Sequence, residues 1–412
     1  MMESLVLFRP KADALVSRLC RGEAAPGELL ETAVSGGWQG DLWHCLLTHA
    51  LLAGENAFSL ACERRKAPAD SLWDLALADM EIYRRLFSAP PALPQPFCSF
   101  HHESPAAESD AAKALSNLAL SLSGAATAED MLRLLTTHYK SHGVGLLGMG
   151  EIFRVSGEGG AARLLPVENR RRVQLSDLVG YESQKELLLQ NTLAFLRGRH
   201  ANNVLLYGDA GTGKSTSIQA IACAYAGDGL RLIELYKHQF ALIPEILSRV
   251  KGRNYRFILF LDDLSFEENE VEYKHLKAVM EGGAEAAPEN VLIYATSNRR
   301  HLIRETWNDR SDMEHDGDIH RSDTVEEKLS LAARFGLQIY YPNPTFDEYH
   351  EIVRALAKKT PSLAGLSDTE LRALASTWQV RHASRSGRTA QQFINDLLCR
   401  DTPESEDSHA DA

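Results

Sequence analysis

Gly208, Asp209, Ala210, Gly211, Thr212, Gly213, Lys214 and Ser215 read GDAGTGKS, which fits the pattern G-x-x-x-x-G-K-[ST]. Each fixed position has a chemical task. The glycines let successive backbone N–H groups face a phosphate with no Cβ in the way. The Lys214 ammonium reaches β- and γ-phosphates, and the Ser215 hydroxyl, with Thr216 beside it, stands where Mg²⁺ is ligated. Downstream, Phe257 to Leu261 is an apolar run that ends in two carboxylates, Asp262 and Asp263. Asp262 suits a water-mediated Mg²⁺ contact, and Asp263 suits polarising an attacking water. A third apolar run, VLIYATSN, ends at Asn298, whose amide can bond that water or the γ-phosphate. The chemistry these residues could share is hydrolysis of a Mg²⁺-bound nucleoside triphosphate.

Such residues need a strand and a helix to aim them. Asn203 to Tyr207 is a short apolar run of the kind a buried parallel strand shows. After the loop, Ile218, Ile221, Ala222 and Tyr225 recur at helical spacing. Four further apolar runs, 230–235, 257–261, 291–295 and 336–341, alternate with helix-length spacers. Five strands in that alternation predict a parallel sheet covered by helices on both faces. Before it, residues 1 to about 90, 111–122 and 128–139 read as helical, with one helix opening at Ser71-Leu72-Trp73-Asp74. The proline-rich stretch from Ser88 to Pro96 reads as a connector. The glycine series from Gly143 to Gly150 reads as a turn between a helix and a strand. Ser183 and Glu186 are spaced as a capping box for the helix ahead of the loop. Past Pro342 three helices are expected, opened by Thr345 with Glu348, by Ser367 with Glu370, and near Arg388 and Thr389. The acidic tail 401–412 has almost no apolar residue and reads as disordered.

Composition narrows the class. The 412 residues carry 44% hydrophobic and 24% charged side chains, ordinary for globular domains. A net charge of −12 disfavours a protein that coats nucleic acid, although a local basic patch stays open. The six cysteines are scattered with no C-x-x-C pair, which suits reduced thiols in a cytoplasmic protein. No run reaches the length of a membrane span, and the first residues lack a signal-peptide core. Cys98 with His101 and His102 offers too few ligands for a metal. His315, Asp316, Asp318 and His320 could ligate a metal, but read first as part of a solvated functional loop. Arg170, Arg171 and Arg172 read as a basic linker.

Taken together, these motifs resemble the AAA+ ATPases, over residues 173–399. The lead-in LSDLVGYESQKE resembles that superfamily's segment before the phosphate loop, which implies that Leu178, Val179 and Gly180 line an adenine pocket. By the same resemblance Asn298 is the sensor-1 residue, Arg334 in Ala333-Arg334-Phe335 is the arginine finger, and Arg388 in Gly387-Arg388-Thr389 is sensor 2. The stretches IELYKHQF, DDLSFEE and YATSNRRHLIRE look closest to an uncharacterised bacterial AAA+ family. Asp263 stands where most of the superfamily has Glu, with Glu267 or Glu268 as substitutes, and Arg310 and Arg321 compete with Arg334. The expected architecture is a helical N-terminal region (1–150), an α/β P-loop NTPase domain (173–342), a helical lid (343–400) and the tail. The resemblance implies an ATP hydrolase that works as a ring or filament of like subunits and remodels a protein client. A loader-like protein using Arg299, Arg300 and the Arg170 to Arg172 triplet on nucleic acid, or a nucleotide-gated scaffold with little turnover, are the alternatives.

Overall fold

The structure is a computed structural model that describes residues 4–11, 14–23, 25–104, 106–157, 161–167, 173–266, 272–281, 287–298, 331–363 and 365–400. Its contacts divide the chain into two units that do not follow chain order. The first is Met1–Arg171 with Tyr225–Ile233 and Glu245–Phe257, and the second is the remainder.

In the first unit the helix Leu42–Ala53, LWHCLLTHALLA, is apolar almost all round and buries eight of its residues. Such a helix is stable only at the centre of a bundle. Asp41 caps it, accepting the His44 N–H at 2.9 Å. Several polar atoms that the core takes in are bonded. The Trp43 indole donates to the Leu86 carbonyl at 2.8 Å, and the Tyr139 hydroxyl to the Leu51 carbonyl at 2.8 Å. The buried Asp79 carboxylate accepts the N–H groups of Val6, Leu7 and Phe8, which ties the N-terminal segment to the helix Asp70–Ser88. Two arginines from 225–257 are buried among these helices. Arg253 forks onto Glu63, Nε to Oε1 at 2.6 Å and Nη2 to Oε2 at 2.8 Å, while its Nη1 reaches Glu55 at 2.9 Å. Arg231 donates to the Leu147 and Ala226 carbonyls and lies over the Tyr255 ring.

Among the described residues seven strands form the sheet: β1 (Ile152–Ser156), β2 (Arg163–Pro166), β3 (Val204–Gly208), β4 (Leu230–Leu235), β5 (Arg256–Leu261), β6 (Val291–Ser297) and β7 (Leu337–Tyr341). Their order is β2-β1-β4-β5-β6-β3-β7. The five expected strands are all present. The expectation of five is corrected by β1 and β2, an antiparallel pair with Phe153 opposite Pro166. β1, with Ile152, Phe153 and Val155 buried, is the strand that follows the glycine series; β2 is short and mostly exposed, so its apolar signal is weak in sequence, and Pro166 suits an edge. β3 is parallel to β6, with Leu206 opposite Thr296, and parallel to β7, with Leu206 opposite Ile339. That register brings the ends of three strands level beside the loop after β3.

In the second unit the helices Phe346–Lys358, Asp368–His382 and Gly387–Arg400 pack around Tyr349, Val353, Ala375, Ala390, Phe393 and Ile394. Both expected capping boxes are present at Thr345/Glu348 and Ser367/Glu370. Two other expected helix starts are corrected. The helix expected to open at Ser71 begins at Asp70 after an uncapped Ala69. Ser183 does not cap the helix Glu182–Leu196; the chain enters it through Tyr181 in the left-handed region, φ 60°. Tyr181 is held there from outside the helix, stacked on Tyr341 and donating its hydroxyl to the Pro342 carbonyl at 2.8 Å. Contacts distant in sequence thus replace the local cap.

Candidate active site

The loop between β3 and the helix Lys214–Ala224 is shaped by two close approaches. Gly208 has φ +134°, and a Cβ there would lie 2.1 Å from the Tyr341 carbonyl oxygen on the neighbouring strand. Gly213 has φ +90°, and a Cβ would strike Leu178 Cδ2 at 2.3 Å. At Gly208 no other residue fits without shifting the backbone, and at Gly213 the positive φ disfavours any Cβ. Thr212, buried, closes the loop by donating to the Asp209 carbonyl at 2.9 Å. The Asp209 carboxylate accepts the Asn343 N–H at 3.2 Å, Ala210 is exposed at the tip, and Thr216 is half-buried on the helix.

Lys214 is 6% exposed, so it is not the free surface lysine that a glycine loop suggests. Its Nζ donates to the Gly208 carbonyl at 2.9 Å, the Asp209 carbonyl at 2.6 Å and Asn298 Oδ1 at 3.1 Å. Burial pushes its pKa below the usual lysine value, Asp209, Asp263 and Asp262 pull it back up, and Arg388 pushes it down. From Lys214 a chain of bonds runs on: Asn298 Nδ2 donates to Asp263 Oδ1 at 2.8 Å. The ends of β3, β5 and β6 are thereby joined by three side chains. Asp263 itself is left-handed, φ 52°, uncommon for a residue with a Cβ.

Next to this chain, Ser215 Oγ donates to Asp262 Oδ1 at 2.5 Å. A hydroxyl and a carboxylate at this spacing are hard oxygen donors of the kind Mg²⁺ takes, so the donor set fits that ion. Asp262 Oδ1 accepts a second hydroxyl, Thr296 Oγ1, at 2.6 Å.

Two more segments close on the loop within the second unit. Leu178 touches Gly213, Val179 packs against the helical cluster after β7, and Gly180 has φ +80°. The buried Lys185 fastens this segment, its Nζ bonded to the Leu178 carbonyl and to Glu182 at 3.0 Å. Arg388 opens the last helix, its N–H 3.4 Å from the Gly211 carbonyl. Ser386 Oγ accepts the Thr389 N–H at 3.2 Å and sets that turn.

The structure therefore brings Gly208 to Thr216, Val179, Gly180, Asp262, Asp263, Asn298 and Arg388 around one loop. Arg334 is placed elsewhere among its own contacts. It follows the helical residues 331–333, pairs through Nη2 with Glu281, and its buried Nε has no partner among the described residues. Glu267, Glu268, Arg299, Arg300, Arg310, Arg321, the loop carrying His315 and His320, and Arg170 to Arg172 lie outside the described residues. Among the described residues no group of three His, Cys, Asp or Glu side chains is arranged to hold a metal. Sequence reasoning missed Lys185, Tyr181 and Thr296. The one signal was a hydroxyl inside the apolar run VLIYATSN.

The chain is 25% identical over 242 residues to the ATP-dependent zinc metalloprotease FtsH of Caulobacter vibrioides, covering 52% of this chain and 34% of that one. It is 31% identical over 104 residues to the replication factor C large subunit of Methanococcus maripaludis, covering 24% and 21%. It thus spans about a third or less of these relatives' length. Among solved structures, the Thermotoga maritima RuvB Holliday junction branch migration motor aligns at 16% identity and TM-score 0.34, covering 55% of this chain and 72% of that one. The FIGL-1 AAA domain in complex with ADP aligns at 16% identity and TM-score 0.34, covering 58% and 88%. A loop of P-loop sequence, two strand-end motifs and a three-helix cluster thus stand together in the second unit. The family described as "Protein of unknown function (DUF815)" matches residues 151–401, and the chain belongs to it.

Proposed function

We propose that this protein hydrolyses Mg²⁺-bound ATP in an assembly of like subunits and uses the cycle to remodel a protein client in the cytoplasm. The observation that carries the hydrolysis is the joined set Lys214–Asn298–Asp263 beside Ser215–Asp262. Lys214 and the loop N–H groups hold phosphate. Ser215 and Asp262 would hold the ion, which, when bound, neutralises charge building on the phosphate oxygens. Asn298 orients the water and Asp263 accepts its proton, while Val179 and Gly180 face the base and Arg388 reaches the phosphates from the lid. Asp263 is one methylene shorter than the usual Glu, but its left-handed backbone and the Asn298 bond hold its carboxylate at the strand ends.

The assembly is supported by Arg334, whose guanidinium suits phosphate recognition from a neighbouring subunit. Remodelling is supported by the N-terminal unit, a bundle with its own core, and by the ATP-dependent relative. Free cysteines suit a reducing compartment.

The test is a turnover assay on wild type and Asp262→Asn, each in Mg²⁺ and in EDTA. Wild type should turn over only with Mg²⁺. The variant should lose hydrolysis while keeping most of its ATP affinity. Equal rates in Mg²⁺ and EDTA would remove the reading, and a wild type that binds ATP tightly without turnover would leave a nucleotide-gated scaffold.

A further inference from the structure

We infer that Thr296, on β6, is a positioning residue that sets both strand-end carboxylates at once and thereby tunes the affinity for the divalent ion. The inference rests on the Mg²⁺-ATP reading above. Thr296 is 2% exposed and lies opposite Leu206 of β3. A buried hydroxyl needs only one partner to offset its desolvation. This one has two, and they are adjacent residues just past the end of β5. Its Oγ1 donates to Asp262 Oδ1 at 2.6 Å and accepts the Asp263 N–H at 2.9 Å. A third bond, from Leu264 N–H to the Thr296 carbonyl at 2.7 Å, fixes the residue that follows.

Each bond has a separate consequence. The donated one holds Asp262 Oδ1, the same atom that accepts from Ser215 Oγ. The accepted one anchors the N–H of a residue whose left-handed backbone costs on the order of 1–2 kcal/mol. Without that anchor, Asp263 is free to relax and leave Asn298. A hydroxyl that accepts from an N–H is also polarised, and so donates more strongly to the carboxylate. Thr296 therefore couples the ion's carboxylate to the water's carboxylate through one oxygen atom. Val, which matches Thr in shape, removes both bonds; Ser keeps both.

The experiment measures ADP binding by calorimetry with Mg²⁺ and with EDTA, and Mn²⁺ binding to the ADP complex by electron paramagnetic resonance, for wild type, Thr296→Val, Thr296→Ser and Asp262→Asn. Loss of a hydrogen bond to a charged group is expected to weaken the ion's contribution by about tenfold or more. Thr296→Val should show that loss in Mn²⁺ affinity and in the Mg²⁺ enhancement of ADP binding, with ADP affinity in EDTA unchanged. Thr296→Ser should stay within about threefold of wild type, since it keeps both bonds. A Thr296→Val protein that keeps the wild-type ion response while Asp262→Asn loses it overturns the inference alone. An ion response kept by Asp262→Asn overturns the reading of the site itself. If Thr296→Val does not fold, Thr296→Ala replaces it, and Ala and Ser behaving alike also overturns the inference.

Discussion

Replacing Lys214 by Ala tests the nucleotide site most directly, and its size follows from the bonds the ammonium makes. Nζ has three oxygen partners within its own chain, and Lys214 is buried. Phosphate must therefore outcompete those partners, so the net gain on binding is that of one hydrogen bond to a charged group, about 1.5–3 kcal/mol. At 1.36 kcal/mol per decade, Kd should rise by roughly 10- to 150-fold. The substitution also leaves two carbonyls and the Asn298 amide oxygen without their donor, a cost of about 1–3 kcal/mol, partly offset because a buried charge is no longer desolvated. Lys214→Met, which keeps the aliphatic stem, should recover packing but not affinity. Titration with a fluorescent ATP analogue gives Kd, and denaturation with and without ATP gives the linkage. At 100 times the wild-type Kd, ATP should stabilise wild type by about 2.7 kcal/mol, and a variant weakened 100-fold by only about 0.4 kcal/mol. A folded Lys214→Met protein that binds ATP with wild-type affinity would falsify the assignment of this loop.

Two further predictions concern other parts of the chain. Arg334→Ala should bind ATP normally yet lose about 10³-fold or more of its hydrolysis, with partial rescue when mixed with Lys214→Ala subunits; specific activity independent of protein concentration, with no rescue, removes the trans-acting role. His138, stacked on His142 in the helix Ala128–His142, has its pKa pushed down to about 3, chiefly by burial and then by the neighbouring His142 charge. The unfolded chain takes up this proton first, so the neutral ring's contribution is intact above about pH 6.5 and is lost as pH falls toward 3, by at most about 1.4 kcal/mol per pH unit. Urea midpoints at pH 7 and pH 5 should therefore differ less in His138→Phe than in wild type, and equal differences refute the assignment.

The nucleotide loop, the two carboxylates and Asn298 were legible because each sits at the end of an apolar run. Buried parallel strands are nearly continuous in Val, Ile, Leu and Phe, so a polar residue that interrupts or ends one stands out. The five strands that carry or flank the site were readable for the same reason, and the capping boxes at Thr345 and Ser367 because their partners lie three residues apart. What depended on partners far along the chain was not legible. β1 and β2 are short, and their pairing is fixed by neighbours rather than by their own pattern. Ser183 looked like a cap, but Tyr181, stacked on Tyr341, sets the turn instead. Lys214 reads as exposed until the Gly208 and Asp209 carbonyls and Asn298, 84 positions away, are seen around it. Thr296 reads as one strand residue among others until register places its hydroxyl between Asp262 and Asp263. Sequence determined which side chains can do the chemistry, because motif and period are local. Tertiary structure decided which of them are joined, because a hydrogen bond depends on distance in space and not on separation along the chain.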